Sequence, residues 1–221
     1  MTRRALVIGG NRGIGLELVR QLRGLGHEVV ATCRGDVGGL EAIEGVEIET
    51  NLDVATDHGW GALAGRVGKL TDVFVNAGIY LDEGPIGGLD LSVVLRDFEV
   101  NALGALRATQ AALPAMEDGA KLVLITSRMG SIADNDSGGS YGYRMSKAAL
   151  NAAGKSLSID LRPRRIAVAI VHPGWVKTDM TDHRAPVEPR DSVAGILARW
   201  SALTLATSGT FWHMNGQVLP W

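Results

Sequence analysis

The sequence has a single cysteine, Cys33, which excludes an internal disulfide and suits a reducing compartment. No stretch approaches the ~20 apolar residues of a membrane-crossing helix. The apolar run nearest the start, Ala5 to Ile8, is too short for the core of a signal peptide and is broken by Gly9-Gly10. Charge of neither sign is concentrated. The 22 Lys and Arg stand against 24 Asp and Glu, for a net charge of -2, so nothing electrostatic points to nucleic acid or to an anionic membrane. The five histidines show no metal-ligand spacing, and no metal is expected. No Gly/Ser/Pro linker, composition shift or internal repeat divides the chain. Its 221 residues are expected to form one domain, 1–221, in the cytoplasm.

What the chain has is 46% hydrophobic residues, ample for a core, arranged as short apolar runs alternating with amphipathic stretches. Ala5 to Ile8, Glu28 to Ala31, Val46 to Ile48, Asp72 to Val75, Lys121 to Ile125, Ile166 to Val171 and Gly209 to His213 read as strands. Several are apolar without alternation, as strands covered on both faces are. Gly13 to Leu25, Val54 to Val67, Leu91 to Met116, Ser140 to Leu161 and Asp191 to Leu205 read as helices. Pro163 ends the helix over Ser140 to Leu161. The predicted fold is α/β: one doubly wound Rossmann-type domain, a parallel sheet of about seven strands with helices on both faces and right-handed crossovers.

Gly9-Gly10-Asn11-Arg12-Gly13-Ile14-Gly15 falls where the first strand meets the first helix. Glycines there let the backbone turn sharply and approach a pyrophosphate, which then rests on the amides of the helix N-terminus. The spacing fits neither the G-x-G-x-x-G fingerprint nor the P-loop, and a purely structural turn is the alternative. At the end of the second strand an acidic residue would select NAD. Thr32-Cys33-Arg34 stands there instead, with no carboxylate until Asp36. Arg34 together with Arg12 could clamp a 2′-phosphate, which favours NADP(H), NADPH over NADH; two solvated arginines are the bland alternative.

Tyr143-Arg144-Met145-Ser146-Lys147 puts a phenol and an ammonium on one helical face. A lysine beside a tyrosine favours the phenolate and lowers a pKa otherwise near ~10, which suits general acid–base work on a carbonyl/alcohol pair. Alone the pair carries little, because it recurs by chance on many helices. Tyr141 is a rival phenol, but it lies on a different face from Lys147.

Together these pieces resemble the short-chain dehydrogenase/reductase family over nearly the whole length. Asp53 in Leu52-Asp53-Val54 resembles the family's acidic residue after strand three, which contacts the adenine. Asn76-Ala77-Gly78 is similar to its Asn-Ala-Gly signature lining the cofactor cleft. Asn101 matches its helix asparagine and Ser127 its catalytic serine, while Pro173-Gly174-Trp175-Val176-Lys177-Thr178 matches the segment that holds the nicotinamide carboxamide. Within the family the chain resembles the sniffer-type carbonyl reductases and the bacterial C-factor proteins. It departs in having Ile8 where the family has Thr, which leaves one turn hydrogen bond unassigned, and in a longer loop, Asp134 to Gly139.

The resemblance implies catalytic roles for Asn101, Ser127, Tyr143 and Lys147. It implies cofactor contacts from Gly9, Asn11, Arg12, Gly13, Ile14, Gly15, Arg34, Asp53, Val54, Asn76, Ala77, Gly78, Tyr143, Lys147, Pro173, Gly174, Val176 and Thr178. The implied reaction reduces a ketone or aldehyde with NADPH, with Tyr143 as proton donor, Ser127 orienting the oxygen, Lys147 lowering the Tyr143 pKa and Asn101 positioning a water. The expected partners are a small carbonyl or alcohol substrate and further copies of the chain, as a dimer or tetramer. Trp175, Met129, Met180 and Trp212 are candidates for an apolar pocket, with core packing the default. The charged segment Thr178 to Arg190 predicts an open substrate mouth. The alternative is a C-factor-like signalling protein that binds NAD(P)H with little or no turnover.

Overall fold

The computed structural model describes residues 3–81 and 84–221. Met1 and Thr2, part of the N-terminal segment read above, lie outside the described residues. Seven strands form one parallel sheet: β1 (Arg4–Ile8), β2 (Glu28–Thr32), β3 (Val46–Glu49), β4 (Leu70–Val75), β5 (Met116–Ile125), β6 (Ala167–His172) and β7 (Thr210–His213). Their order across the sheet is β3-β2-β1-β4-β5-β6-β7. The order reverses between β1 and β4, and the crevice beyond the carboxyl ends of strands at such a switch point is where ligands bind in open α/β sheets.

Unbroken apolar strands follow from burial on both faces. In β1, Leu6 and Ile8 join the core on one side of the sheet, whereas Ala5 and Val7 join the core on the other. The first face is covered by α2 (Leu63–Val67), α4 (Gly104–Ala112) and α5 (Tyr141–Asp160), with α3 (Leu91–Phe98) packed against α5. The second is covered by α1 (Gly13–Gly24) and α6 (Pro189–Ala202). Leu18, Val19 and Leu22 of α1 and Val193, Ile196 and Trp200 of α6 supply its apolar stripes.

Two helices differ from the sequence reading. The stretch expected as helix over Val54 to Val67 is α-helical only from Leu63. Asp53 accepts from the amides of Ala55 (2.9 Å, side chain) and Thr56 (3.0 Å, backbone), and this local turn outcompetes a helix start. Gly59 follows at φ 81°, a left-handed conformation that ends any helical run. The stretch Leu91 to Met116 is not one helix either. A π-helical turn over Glu99–Leu103 interrupts it, Pro114 sits in a 3-10 turn over Leu113–Ala115, and Met116 already belongs to β5.

Candidate active site

The loops after β1, β2, β3, β4, β5 and β6 line a cleft of about 500 Å³. Among the predicted cofactor residues, Gly9, Asn11, Arg12, Gly13, Ile14, Arg34, Asp53, Val54, Asn76, Ala77, Gly78, Tyr143, Lys147, Pro173 and Thr178 line it. Gly15, Gly174 and Val176 do not reach its wall. Gly15 is a packing glycine: a Cβ there would stand 2.0 Å from the Gly9 carbonyl oxygen, within the turn itself. Val176 is buried and pairs with Val187 behind the segment.

The first turn is held by side chains from two other strands. Gly9 has φ 78°, and a Cβ on it would meet Ala77 at 2.9 Å. Its amide donates to Thr32 Oγ1 (3.2 Å) and its carbonyl accepts from Asn76 Nδ2 (2.9 Å). Asn76 braces the turn from β4, so Ile8 in place of the family's Thr leaves both polar groups of Gly9 bonded. Asn11 Nδ2 donates to the Asp36 carbonyl (3.0 Å), which ties the same turn to the loop bearing Arg34.

The two arginines share the cleft, but Arg12 does not turn toward Arg34. Its guanidinium bonds Asp179 across the opening at 3.2 Å, and Asp179 also meets the His183 ring at 3.0 Å. The corner beside Arg34 contains Asp36 as well, whose carboxylate accepts from the Gly38 amide (2.9 Å).

On the other side of the cleft, α5 brings Tyr143 and Lys147 beneath the carboxyl ends of β4 and β5. Lys147 is almost fully buried. Its ammonium donates to the Ile125 carbonyl (3.3 Å) and lies over the Tyr143 ring, 5.7 Å from its centre. Burial lowers the Lys147 pKa to about 8, against an opposing pull from Asp97. Burial raises the Tyr143 pKa to about 12; Ser127 works the other way, while Asp97 and Tyr80 add to the rise. This corrects the expectation that Lys147 lowers the Tyr143 pKa. Desolvation of the phenol is the largest effect on it, and Lys147 is not among the groups that shift it.

Ser127 caps the 3-10 turn over Arg128–Gly130, accepting from the Met129 amide (3.1 Å) while its hydroxyl meets Tyr143. Cap and catalytic candidate are thus the same atom. The turn is pressed onto α5: a Cβ on Gly130 would fall 2.6 Å from the Lys147 backbone. Thr126 donates to Asn151 Oδ1 (2.7 Å), and Asn151 donates to the Gly130 carbonyl (3.3 Å). Arg144, next to Tyr143, bonds the Gly139 carbonyl (3.1 Å) and Ser137 Oγ (2.8 Å), fastening the long loop to the helix.

Asn101 sits in the π-helical turn, fully buried. It accepts from the Ile79 amide (2.8 Å) and donates to the Ile79 carbonyl (2.9 Å) and to Ser146 Oγ (3.0 Å). Both amide protons of its side chain are committed, so the expected water contact does not come from that nitrogen. Of the apolar candidates, only Met180 lines the cleft, while Trp175 is exposed at 60%. Sequence reading missed Thr32, Asp36, Ile79, Arg96, Thr126 and Asp179 as cleft residues. Asp36 was visible as the first carboxylate after β2, whereas Arg96 and Asp179 carried no signal.

A parallel sheet in this order with a glycine turn at its switch point, facing a Ser, Tyr and Lys set, defines a dinucleotide-type oxidoreductase of the short-chain class. The family model described as short chain dehydrogenase matches residues 3–188, and the chain belongs to that family. It is 40% identical over 225 residues to a 1-hydroxy-2-glutathionyl-2-methyl-3-butene dehydrogenase of Rhodococcus sp. (strain AD45), covering 98% of each chain. It is 45% identical over 153 residues to the C-signal protein of Myxococcus xanthus, covering 68% of this chain and 92% of the relative. Its structure is similar to the carbonyl reductase Sniffer of D. melanogaster, with TM-score 0.93, 31% identity and all of both chains covered. It is also similar to an NADPH-bound carbonyl reductase from chicken fatty liver, with TM-score 0.90, 32% identity and coverage of 100% and 99%. No helix among the described residues is long and apolar enough to cross a membrane.

Proposed function

We propose that the protein is an NADPH-dependent carbonyl reductase whose proton donor is Tyr143. The observation that carries this reading is the Tyr143 phenol in the wall of the cleft, with the buried Lys147 ammonium over its ring. The cleft fits a dinucleotide: the glycine turn at Gly9 and the first residues of α1, Gly13 and Ile14, line it, and Arg12 and Arg34 supply cations where a 2′-phosphate would lie. NADPH, when bound, supplies the hydride. Gly9 to Ile14, Asn76 to Gly78 and Thr178 would hold it, with Asp53 at the adenine end.

Tyr143 gives its proton to the substrate oxygen, and Ser127 bonds that oxygen and fixes its direction. A phenol raised to about 12 stays protonated throughout neutral pH, which suits donation in the reducing direction. Lys147 would hold the cofactor's ribose and, with a pKa near 8, exchanges protons readily. Asn101 keeps Ile79 and Ser146 in place, and Ser146 in turn donates to the Tyr143 carbonyl (2.8 Å). The Rhodococcus relative is named for oxidation of a hydroxyl, and the same groups serve that direction with proton flow reversed.

The C-signal match supports a second reading, a signalling protein that binds the cofactor without turnover. The complete Ser127, Tyr143 and Lys147 set favours the enzyme. An NADPH-oxidation screen over aldehydes, quinones and ketones separates the two: turnover with any of them supports the reductase, and NADPH binding without turnover supports the signalling reading.

A further inference from the structure

A second phenol, that of Tyr80, packs against Tyr143. The two rings meet edge to face at 86°, with centres 5.0 Å apart, an arrangement that aromatic pairs prefer. Tyr80 reaches Tyr143 from the loop after β4, and its main chain is fixed from behind. Asn101 bonds both the amide and the carbonyl of Ile79, and so holds the peptide that joins Ile79 to Tyr80. Ile79 and Leu81, on either side of Tyr80 in the chain, line the cleft, and Tyr80 itself is 44% exposed.

The tip of the Tyr80 side chain is fixed as well. Its hydroxyl shares a hydrogen bond with Ser140 Oγ at 2.9 Å. Ser140 immediately precedes α5, where a serine ordinarily turns its hydroxyl onto the first amides of the helix. Among the described residues the Ser140 hydroxyl makes no such bond. Gly138, Gly139 and Ser140 have φ of 64°, 64° and 49°, so the long Asp134 to Gly139 loop ends in a left-handed run in which only Ser140 has a Cβ. Arg144 clamps this run onto the helix: its guanidinium bonds the Gly139 carbonyl (3.1 Å) and Ser137 Oγ (2.8 Å), and its amide bonds the Ser140 carbonyl (2.8 Å). A non-glycine residue in the left-handed region is destabilising by itself and persists where its surroundings over-determine it. What this one gains is the bond to Tyr80.

We propose that Tyr80 is a positioning residue for proton transfer: fastened by Ser140, its ring keeps the Tyr143 ring beside Lys147 and shields it from water. This rests on the reading of Tyr143 as the proton donor. The ring of Tyr80 does the shielding and its hydroxyl the fastening, and the long loop serves both by delivering Ser140. The groups that face Tyr143 come from four elements. Lys147 lies over the ring from α5, Ser127 stands on the turn after β5, Asp97 acts from α3, and Tyr80 acts from the loop after β4. Removing the Tyr80 ring takes no charge from this set and admits water. Water favours the phenolate, so the Tyr143 pKa should fall when the ring is lost.

The test combines turnover with a readout that needs none. The chain has three tyrosines, so isotope labelling of the phenol carbons gives three NMR signals, assigned to Tyr80, Tyr141 and Tyr143 by their Phe variants. Tyr80→Leu is expected to move the Tyr143 titration down by about one pH unit or more. It is also expected to lower kcat for carbonyl reduction about ten- to a hundredfold, with NADPH affinity close to that of the wild type. Tyr80→Phe keeps the ring, so it and Ser140→Ala should each lower kcat only about two- to fivefold. The double variant should lose no more than either alone, as partners of one bond do. Melting temperatures are checked throughout, and if Tyr80→Leu does not fold, the Tyr80→Phe and Ser140→Ala pair decides. A wild type that reduces no carbonyl would overturn the reductase reading, while the Tyr143 titration still decides the role of Tyr80. An unmoved Tyr143 titration in Tyr80→Leu, a kcat equal to wild type, or additive losses in the double variant would overturn the proposal.

Discussion

The Lys147 ammonium lies over the ring of Tyr143, 5.7 Å from its centre, and donates to the Ile125 carbonyl (3.3 Å). Both groups are shifted by desolvation, in opposite senses: the lysine toward losing its proton and the phenol toward keeping it. The lysine, with its pKa near 8, is therefore the group that changes charge close to neutral pH.

Carbonyl reduction is predicted to be level below about 8 and to decline above it, as Lys147 loses its charge and its hold on the ribose weakens. Lys147→Met should reduce more slowly and lack that decline. Alcohol oxidation needs the phenolate and should keep rising through the alkaline range, since burial holds the phenol toward about 12. The measurement is kcat against pH in both directions for the two proteins. The same decline in Lys147→Met would assign it to another group.

Arg34 is predicted to contribute more to the NADPH preference than Arg12. Arg12 begins paired with Asp179, so its engagement of a phosphate forfeits an existing ion pair, whereas Arg34 has no ion pair among the described residues. Charge-assisted contacts are worth about 1.5–3 kcal/mol each, so Arg34→Ala should weaken NADPH about tenfold or more and leave NADH nearly unchanged. Asp179→Asn should tighten NADPH slightly. Fluorescence titrations with both nucleotides check the order.

Asn101→Ala is predicted to destabilise the fold by about 1–3 kcal/mol, because it removes the partner of the half-buried Ile79 amide and carbonyl and of Ser146. Denaturant unfolding measures it. An unchanged stability would mean that Ile79 finds other partners.

Acid stability should reflect His172. Its pKa falls from 6.5 to about 3 on folding, through burial first and then His213, Arg128 and Lys147. Between those values the unfolded chain binds a proton that the folded chain refuses, so this contribution is full above about 6.5 and is lost as pH falls toward about 3. His172→Phe should move the acid-unfolding midpoint to lower pH, followed by circular dichroism.

The strand–helix alternation was legible because the central strands β1, β4 and β6 and the second half of β5 are buried on both faces, and unbroken apolar runs such as Leu122 to Ile125 admit few other readings. The interruptions were not. The Asx-type turn at Asp53, the π-helical turn at Asn101 and the early start of β5 at Met116 all fall inside sequence that keeps a helical period. The cleft's composition was legible where short motifs carry it, at Gly9 to Gly15 and Asn76 to Gly78. Contacts that depend on distant chain were hidden, as between Arg12 and Asp179. Spacing placed Tyr143 and Lys147 on one face, but it carried no information about depth, and depth is what sets their pKa values.

The most direct test of the account is Tyr143→Phe, assayed for NADPH-dependent reduction of a carbonyl that the wild type turns over. Removing the hydroxyl leaves the ring, the α5 packing and the cofactor cleft in place. The account predicts a fall in kcat of about 10²–10⁴-fold with NADPH affinity nearly unchanged. Turnover equal to wild type would contradict it.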